Sequence, residues 1–225
     1  MDSRQAILSR IRTSLKVGAG DTERAETVAR RLQERPQGII PKRGQLPADE
    51  RLALFIAMAE KYNATTEKLA TSGSVPTAVA EYLKQRNLPA EIRVGTDPRL
   101  VSLDWNSAGT LEIRSGASDG NDLVAVSHAF GGVAETGTLC VLSGPDNPVT
   151  LNFLPDHHIV VVAAEDIVGD MENLWTNLRA KQGEAMPRTV NMITGPSRSA
   201  DIEQTLLLGA HGPRALHILI VGPPG

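Results

Sequence analysis

The residues best suited to chemistry stand at the centre of a polar loop that we predict over residues 131–137, in the run Glu135-Thr-Gly-Thr138. A carboxylate and two hydroxyls flank a glycine there, between two apolar runs of strand type, Leu123–Val126 and Thr138–Leu142. Glycine permits a sharp turn and lets a ligand approach the backbone amides closely. The candidate site residues are therefore Glu135, as the catalytic group, and Thr136, Gly137 and Thr138. An ordinary turn in which Glu135 only caps a backbone amide is the alternative, and both interpretations stay open.

A second polar loop follows an apolar run at 190–193 and supplies the ligand-binding candidates Ser197, Arg198 and Ser199. We predict a short helix over Ala200–Leu208, with Ser199 as its N-cap and Asp201 in its first turn. Amides at a helix start can bind an anion, and Arg198 could add a bidentate contact. Structural capping by Ser199 and Asp201 is the open alternative. Since both loops follow predicted strands of a parallel sheet, we expect them to meet in one cleft at the strands' carboxyl ends.

The five histidines and the single cysteine form no recognised metal or redox motif. His157 and His158 are adjacent, so in a strand they point to opposite faces and cannot chelate one ion. The remaining histidines lack the spacing of a zinc site, and we expect no metal. Cys140 lies within an apolar strand as a small core residue. Because an iron–sulfur cluster needs about four cysteine ligands, and no dinucleotide fingerprint is present, we expect no cofactor in this chain.

Strands that alternate with helices must position these loops. Continuous apolar runs at 158–163 and 216–221 are typical of strands covered on both faces. Between them, Ile167, Met171, Leu174, Trp175 and Leu178 are spaced as one helix face. We predict a three-layer α/β/α, Rossmann-like domain over 45–225, whose single, mostly parallel sheet contains strands near 123–126, 138–142, 158–163, 190–193 and 216–221. Helices near 47–62 and from residue 75, and strands near 66–70, 91–94 and 110–113, precede them.

Residues 1–40 are predicted to form an N-terminal helical arm. Two amphipathic segments, 3–16 and 21–35, precede a linker at 36–44 that contains two prolines and two glycines. A packed helix pair and a contact with a partner are both open interpretations. The second helix has little apolar surface to bury, which favours the partner contact.

Composition narrows the function classes. The length of 225 residues suits one core domain with an appendage, and 41% hydrophobic with 22% charged residues is typical of a globular protein. A net charge of −3 and only 3% aromatic residues argue against nucleic-acid binding. No apolar run approaches the roughly 20 residues of a membrane span, and the N-terminus lacks the apolar segment of a signal peptide. We therefore expect a cytoplasmic protein.

Four motifs follow one another in a recognisable order and spacing: Ala134-Glu-Thr-Gly-Thr-Leu139, Leu154-Pro-Asp-His-His-Ile159, Gly195-Pro-Ser-Arg-Ser-Ala-Asp-Ile-Glu203 and Gly209-Ala-His-Gly-Pro-Arg-Ala-Leu-His217. Together with the helical start, they resemble the lactate-utilisation protein C family, whose domain is the LUD domain. The resemblance implies a fold of the sugar-phosphate isomerase and CoA-transferase type. It also implies a role in oxidising L-lactate to pyruvate beside iron–sulfur partner subunits, with this chain as the cluster-free member. It carries over no catalytic residue.

Two classes of function stay open on these grounds. The chain could be an accessory or substrate-handling subunit of a lactate-oxidising complex. It could instead be an enzyme in its own right that uses Glu135 as nucleophile or base on an acyl or phosphorylated substrate, by analogy with transferases that use a glutamate. Co-purification with cluster-bearing subunits favours the first class, and turnover by the isolated chain favours the second.

Overall fold

The computed structural model describes residues 2–18, 20–109, 111–183, 185–200, 206–208 and 211–223. The chain divides into two compact units, Met1–Ile39 and Ile40–Gly225. The first unit contains helices α1 (Ser3–Leu15) and α2 (Thr22–Glu34), close to the bounds expected from their amphipathic patterns. Asp2 and Asp21 cap their amino ends by accepting from the amides of Arg4 and Arg24. Neither helix buries a residue among those described.

The second unit contains the remaining elements. Its helices are α3 (Ala48–Lys61), α4 (Val75–Gln85), α5 (Pro98–Val101) and α6 (Met171–Gln182). Its strands are β1 (Thr65–Leu69), β2 (Glu91–Val94), β3 (Glu112–Ser115), β4 (Val124–His128), β5 (Gly131–Val133), β6 (Thr138–Leu142), β7 (His157–Ala163), β8 (Ile167–Val168), β9 (Val190–Ile193), β10 (Arg198–Ala200), β11 (Leu206–Leu208) and β12 (Ala215–Val221). No helix in the described ranges is long and apolar enough to cross a bilayer.

A six-stranded parallel sheet forms the centre of this unit, in the order β1-β12-β7-β4-β2-β3. The predicted α/β class is thereby confirmed. The strands β7 and β12 are neighbours inside the sheet, where both faces are covered, which explains why they are apolar apart from His157, His158 and His217. Successive side chains of each strand therefore belong to two different cores.

One face of the sheet packs against α4, α5 and the turn around Trp105. The other face carries Val160 and Val162 of β7 and packs against Phe55 and Ala59 of α3 and against β6. That second layer combines a helix with strands, and α6 covers its outer side through Leu174. The sheet thus separates an all-helical layer from a mixed one.

The expectation that all five strands near 123–126, 138–142, 158–163, 190–193 and 216–221 share one sheet is wrong. A separate four-stranded sheet has the order β8-β5-β6-β9, and it takes both β6 and β9. Part of the predicted 131–137 loop is strand β5, which pairs antiparallel with β6. Because β5 has only three residues and two of them are glycines, its sequence is typical of a turn.

Two smaller expectations also fail. The helix predicted over Ala200–Leu208 is contradicted at both of its ends, since β10 and β11 form an antiparallel pair there, while residues 201–205 lie outside the described ranges. Capping residues are also turn residues, and a short leucine run suits either element, so the pattern could not separate helix from hairpin. Ile167, assigned by spacing to the α6 face, belongs to strand β8.

Candidate functional site

Three of the four motifs meet at one cavity of about 290 Å³, beside the amino-terminal ends of β7 and β12. We call it the motif cavity. Its walls comprise Asn152, Phe153, His158, Met192, Ile193, Thr194, Gly195, Pro196, Ser197, Arg198, His211, Gly212, Pro213 and Leu216. His158 and Leu216 are the second residues of their strands and are paired in register. The cavity therefore opens at the amino ends of parallel strands, opposite to the carboxyl-end cleft that the sequence predicts.

His158 is held in the cavity wall by the central sheet. It lies on the same face of β7 as Val160 and is 1% exposed. Its Nε2 lies 3.0 Å from the Ser127 hydroxyl, whereas its Nδ1 has no hydrogen-bond partner in the described part of the chain. Burial lowers the pKa of His158 to about 3, so the imidazole is neutral at neutral pH.

Asn152, also in the cavity wall, has two buried polar atoms without a hydrogen-bond partner in the described part of the chain. It ends a short 3-10 turn, Val149–Asn152, and is 2% exposed. Neither its Oδ1 nor its Nδ2 has a partner among the described residues. A buried polar group without a partner costs about 1–3 kcal/mol, so two such residues beside one cavity indicate a place that a ligand or ordered water completes.

The remaining motif, Ala134–Leu139, reaches the cavity through a chain of hydroxyls. Thr136 Oγ1 lies 2.7 Å from Thr138 Oγ1, which lies 2.7 Å from Thr194 Oγ1 in the cavity wall. The antiparallel pairing of β6 with β9, which places Leu139 opposite Ile193, brings these side chains together. The two predicted loops therefore do meet, but through the second sheet and not through the carboxyl edge of the central one.

Glycines 137 and 195 are both fitted to the carboxyl-terminal end of α3. Gly137 has φ +65°, and a Cβ there would lie 2.3 Å from the Ala59 nitrogen. Gly195 has φ +70°, and a Cβ there would lie 2.1 Å from the Tyr62 carbonyl oxygen. The same Tyr62 oxygen accepts a hydrogen bond from Arg198 Nη2. The close approach made possible by Gly137 is thus taken up by a helix backbone, where the sequence suggested a ligand.

Glu135 faces away from these groups, toward the start of α6. It is 7% exposed, and its Oε1 accepts a hydrogen bond from the Met171 amide at 3.2 Å. Its Oε2 lies 4.0 Å from Arg43 Nε. These are the contacts of a carboxylate that caps a helix, and Glu135 is not among the described residues that line the motif cavity. Its catalytic role stays a prediction.

The second predicted loop contributes Ser197 and Arg198 to the cavity wall. The Ser197 amide donates to the Pro213 carbonyl at 2.8 Å, which joins the third motif to the fourth. Ser199 belongs to strand β10, so its assignment as a helix N-cap is wrong, and Asp201 lies outside the described ranges. A binding role for Ser199 has no test in these contacts.

Sequence reasoning missed Asn152 as a site residue and weighed His158 only as a metal ligand. Membership of His158 in the second motif was the signal available for it, whereas Asn152 precedes that motif and carries no pattern of its own. Cys140 is buried, as predicted. Within the described ranges, no group of three or more histidine, cysteine, aspartate or glutamate residues is placed to hold a metal ion.

Comparison with known proteins adds a family. The family model of the LUD domain matches residues 52–221. "Lactate utilization protein C" of Halalkalibacterium halodurans is 36% identical over 100 residues, which cover 43% of this chain and 44% of that protein. The protein of the same name from Geobacillus thermodenitrificans is 33% identical over 119 residues, or 52% of this chain and 49% of that protein. The matches thus span less than half the length of these relatives.

Two further relatives extend over more of the chain. The uncharacterised protein YkgG of Escherichia coli is 27% identical over 192 residues, which cover 78% of this chain and 82% of that protein. The crystal structure of a DUF162 family protein from Deinococcus radiodurans superposes with a TM-score of 0.60 at 21% identity. That superposition covers 79% of this chain and 99% of the other, and it supports the α/β fold.

Proposed function

The chain belongs to the LUD domain family, and from that premise we propose that it is the cluster-free component of an L-lactate oxidation system of the cytoplasm, whose partners are iron–sulfur subunits. The names of the relatives support the lactate context. The main observation in favour of a functional site is that the family-pattern motifs meet at the motif cavity. The wall of this cavity contains Asn152 and His158, which have buried polar atoms without a partner among the described residues. Two unpaired buried residues beside one cavity favour completion by a ligand or ordered water over a wall that serves only packing.

The cavity has the chemistry for a small hydroxy or carboxylate ligand, with a phosphorylated one as the related case. Arg198 uses one N–H on the Tyr62 carbonyl and keeps further donors for an anionic oxygen. Asn152 offers both a donor and an acceptor, and the hydroxyls of Thr194 and Ser197 offer both as well. Phe153, Met192, Ile193 and Leu216 supply apolar walls for a short aliphatic group.

Binding, and not proton transfer, is the role that these groups support. A base is most effective when its pKa lies near the working pH, and a His158 pKa of about 3 is far below it. The Glu135 carboxylate, the other candidate base, is engaged by the Met171 amide. A substrate-handling subunit is therefore favoured over a stand-alone enzyme.

In this proposal, the oxidation step involves partner subunits. Conversion of lactate to pyruvate releases two electrons and two protons, and an acceptor must take the electrons. Cys140 is buried in β6, and burial raises the pKa of its thiol to about 12, so it is neither a cluster ligand nor a redox group. Clusters in partner subunits would accept the electrons.

Affinity purification of the tagged chain from lactate-grown cells tests this proposal. We expect subunits that contain iron and acid-labile sulfide to co-elute, while the chain purified alone shows no flavin, haem or cluster absorbance. Turnover of L-lactate by the isolated chain with an artificial electron acceptor would contradict the proposal. A purification that yields the chain without iron–sulfur protein would contradict it as well.

A further inference from the structure

A second cleft lies at the carboxyl ends of the central strands, at the opposite end of the sheet from the motif cavity. Two cavities of about 270 and 310 Å³ adjoin there, and Arg99 and His128 line both. His128 ends β4, while Ala163 and Val221, which end β7 and β12, line the larger cavity. Ligands of open parallel sheets bind at this edge. We name it the Arg99–His128 cleft, and none of the described residues that line it also lines the motif cavity.

One backbone carbonyl fixes the hydrogen-bonding state of His128. Its Nδ1 lies 2.8 Å from the Ala129 carbonyl oxygen, which can only accept, so Nδ1 carries the proton. Burial lowers the pKa of His128, and the charge of Arg99 lowers it further, so the ring is neutral at neutral pH. Its Nε2 is consequently an acceptor, with no protein partner among the described residues.

The Arg99 guanidinium is held beside this acceptor by Asp97. Nε donates to Oδ1 at 3.0 Å, and Nη2 donates to Oδ2 at 2.6 Å. Asp97 is itself anchored, because its Oδ1 also accepts from the Arg99 amide at 3.0 Å at the start of α5. The Asp97 pair uses one bidentate edge of the guanidinium and leaves the Nη1/Nη2 edge. Apart from Asp97, the hydrogen-bond partner of that edge in the described part of the chain is the Ala129 carbonyl oxygen, 3.5 Å from Nη1. The Arg99 side chain is half exposed, so that edge is reachable.

Among the described residues that line the cleft, positive and negative charges are equal in number. Asp97 opposes Arg99, and in the smaller cavity Asp146 and Lys181 carry opposite charges. Asp146 accepts from the Thr96 hydroxyl at 3.0 Å, and Lys181 lies 3.4 Å from Asp166. Attraction by net charge is therefore small, and selectivity must come from the fixed geometry of one donor edge beside one acceptor.

We propose that the Arg99–His128 cleft is a second ligand site, and that it binds a small hydroxycarboxylate. The ligand carboxylate accepts from the Nη1/Nη2 edge of Arg99, and the ligand hydroxyl donates to His128 Nε2. A monocarboxylate without a hydroxyl leaves Nε2 unpaired, and a hydroxy amide leaves the guanidinium edge without its anion. The site is separate from the motif cavity and does not depend on the lactate system proposed above.

Nitrogen-15 NMR of the full chain labelled at histidine tests the site directly. L-lactate is the probe, propionate lacks the hydroxyl, and lactamide lacks the charge. We expect L-lactate, and neither analogue, to shift the His128 Nε2 resonance away from the position of an unbonded ring nitrogen. Arg99→Lys, at a half-exposed position, is expected to raise the apparent Kd for L-lactate about tenfold or more, because a bidentate charged contact is lost.

The controls separate this site from the proposed function. Arg114→Lys, on β3 and in ion pairs with Glu91 and Glu112, should leave the L-lactate titration unchanged. Asn152→Leu, in the motif cavity, should also leave the His128 response unchanged, whatever it does to lactate-dependent growth. Three results would overturn the inference: no shift of the His128 Nε2 resonance with L-lactate, an equal shift with propionate, or an unchanged L-lactate titration in Arg99→Lys.

Discussion

Individual side chains in this protein owe their roles to partners that lie far away in sequence. His157 and His158 were expected on opposite faces of a strand, and they are, because alternation along β7 is a local rule. The pairing of His128 with Arg99 could not be expected, since the two residues join through the Ala129 carbonyl only once β2 and β4 are neighbours. Local pattern predicts where a side chain points, and tertiary contact decides what it does.

Buried neutral histidines make stability depend on pH. His158 and His217 have pKa values lowered by burial to about 3 and about 4, whereas an unfolded histidine has its ordinary value near 6.5. Below that value the unfolded state binds more protons, so the free energy of unfolding is highest above pH 6.5 and falls as pH drops. Each histidine contributes about 2 kcal/mol of loss between pH 7 and pH 5. Urea unfolding at both values should show a smaller loss in His158→Gln, and an unchanged loss would contradict this assignment.

Glu135→Gln separates a capping carboxylate from a catalytic one. The glutamine oxygen can still accept from the Met171 amide, but the negative charge near the start of α6 is lost. We expect a decrease in the free energy of unfolding of about 0.5–1 kcal/mol, with lactate-dependent growth retained. A folded Glu135→Gln protein that fails to support growth would contradict this expectation and support the catalytic role predicted from sequence.

At the scale of elements, the long strands were predictable and the short ones were not. Continuous apolar runs identified β7 and β12, because a strand covered on both faces has no polar side to show. The second sheet escaped prediction, since β8 has two residues and β5 three, too few for any periodicity. The motif cavity was half predictable for the same reason: its loops were identified, but their meeting depends on the unpredicted pairing of β6 with β9.

Glycine 195 tests how tightly the cavity loop is fitted to α3. A Cβ at Gly195 meets the Tyr62 carbonyl oxygen at 2.1 Å on a backbone with φ +70°. We expect Gly195→Ala to lower the free energy of unfolding by about 2–4 kcal/mol, from overpacking and left-handed backbone strain together. Gly120→Ala is the control, since Gly120 has φ +96° and no described heavy atom within 4 Å of a Cβ. Chemical denaturation that gives equal losses for both variants would show that the contact with α3 does not matter.

At the scale of the whole molecule, the helical arm is a unit of its own by its contacts. Its apolar residues Ile7, Ile11 and Leu15 are about half exposed, so the arm has little core of its own to lose. Removal of residues 1–39 should leave a remainder that unfolds in one cooperative transition by calorimetry, with a Tm close to that of the full chain. Loss of the cooperative transition would show that the arm is integral to the fold.

According to the proposed function, Asn152 binds the ligand of the motif cavity at a cost to the stability of the fold. Its amide is buried and unpaired, so Asn152→Leu should keep or raise the free energy of unfolding by about 1–2 kcal/mol. Asn191 is the matched control, because its Nδ2 is also buried and unpaired, but Asn191 is not among the described residues that line the motif cavity. The same substitution there relieves the same kind of cost away from the site.

Growth on L-lactate as sole carbon source, in a strain that lacks this gene and carries each variant in turn, is therefore the decisive measurement. We predict that the wild type and Asn191→Leu restore growth, while Asn152→Leu, equally abundant and at least as stable as the wild type, does not. Growth of the deletion strain without any complementing copy, or full rescue by Asn152→Leu, would contradict a lactate-utilisation role carried by the motif cavity.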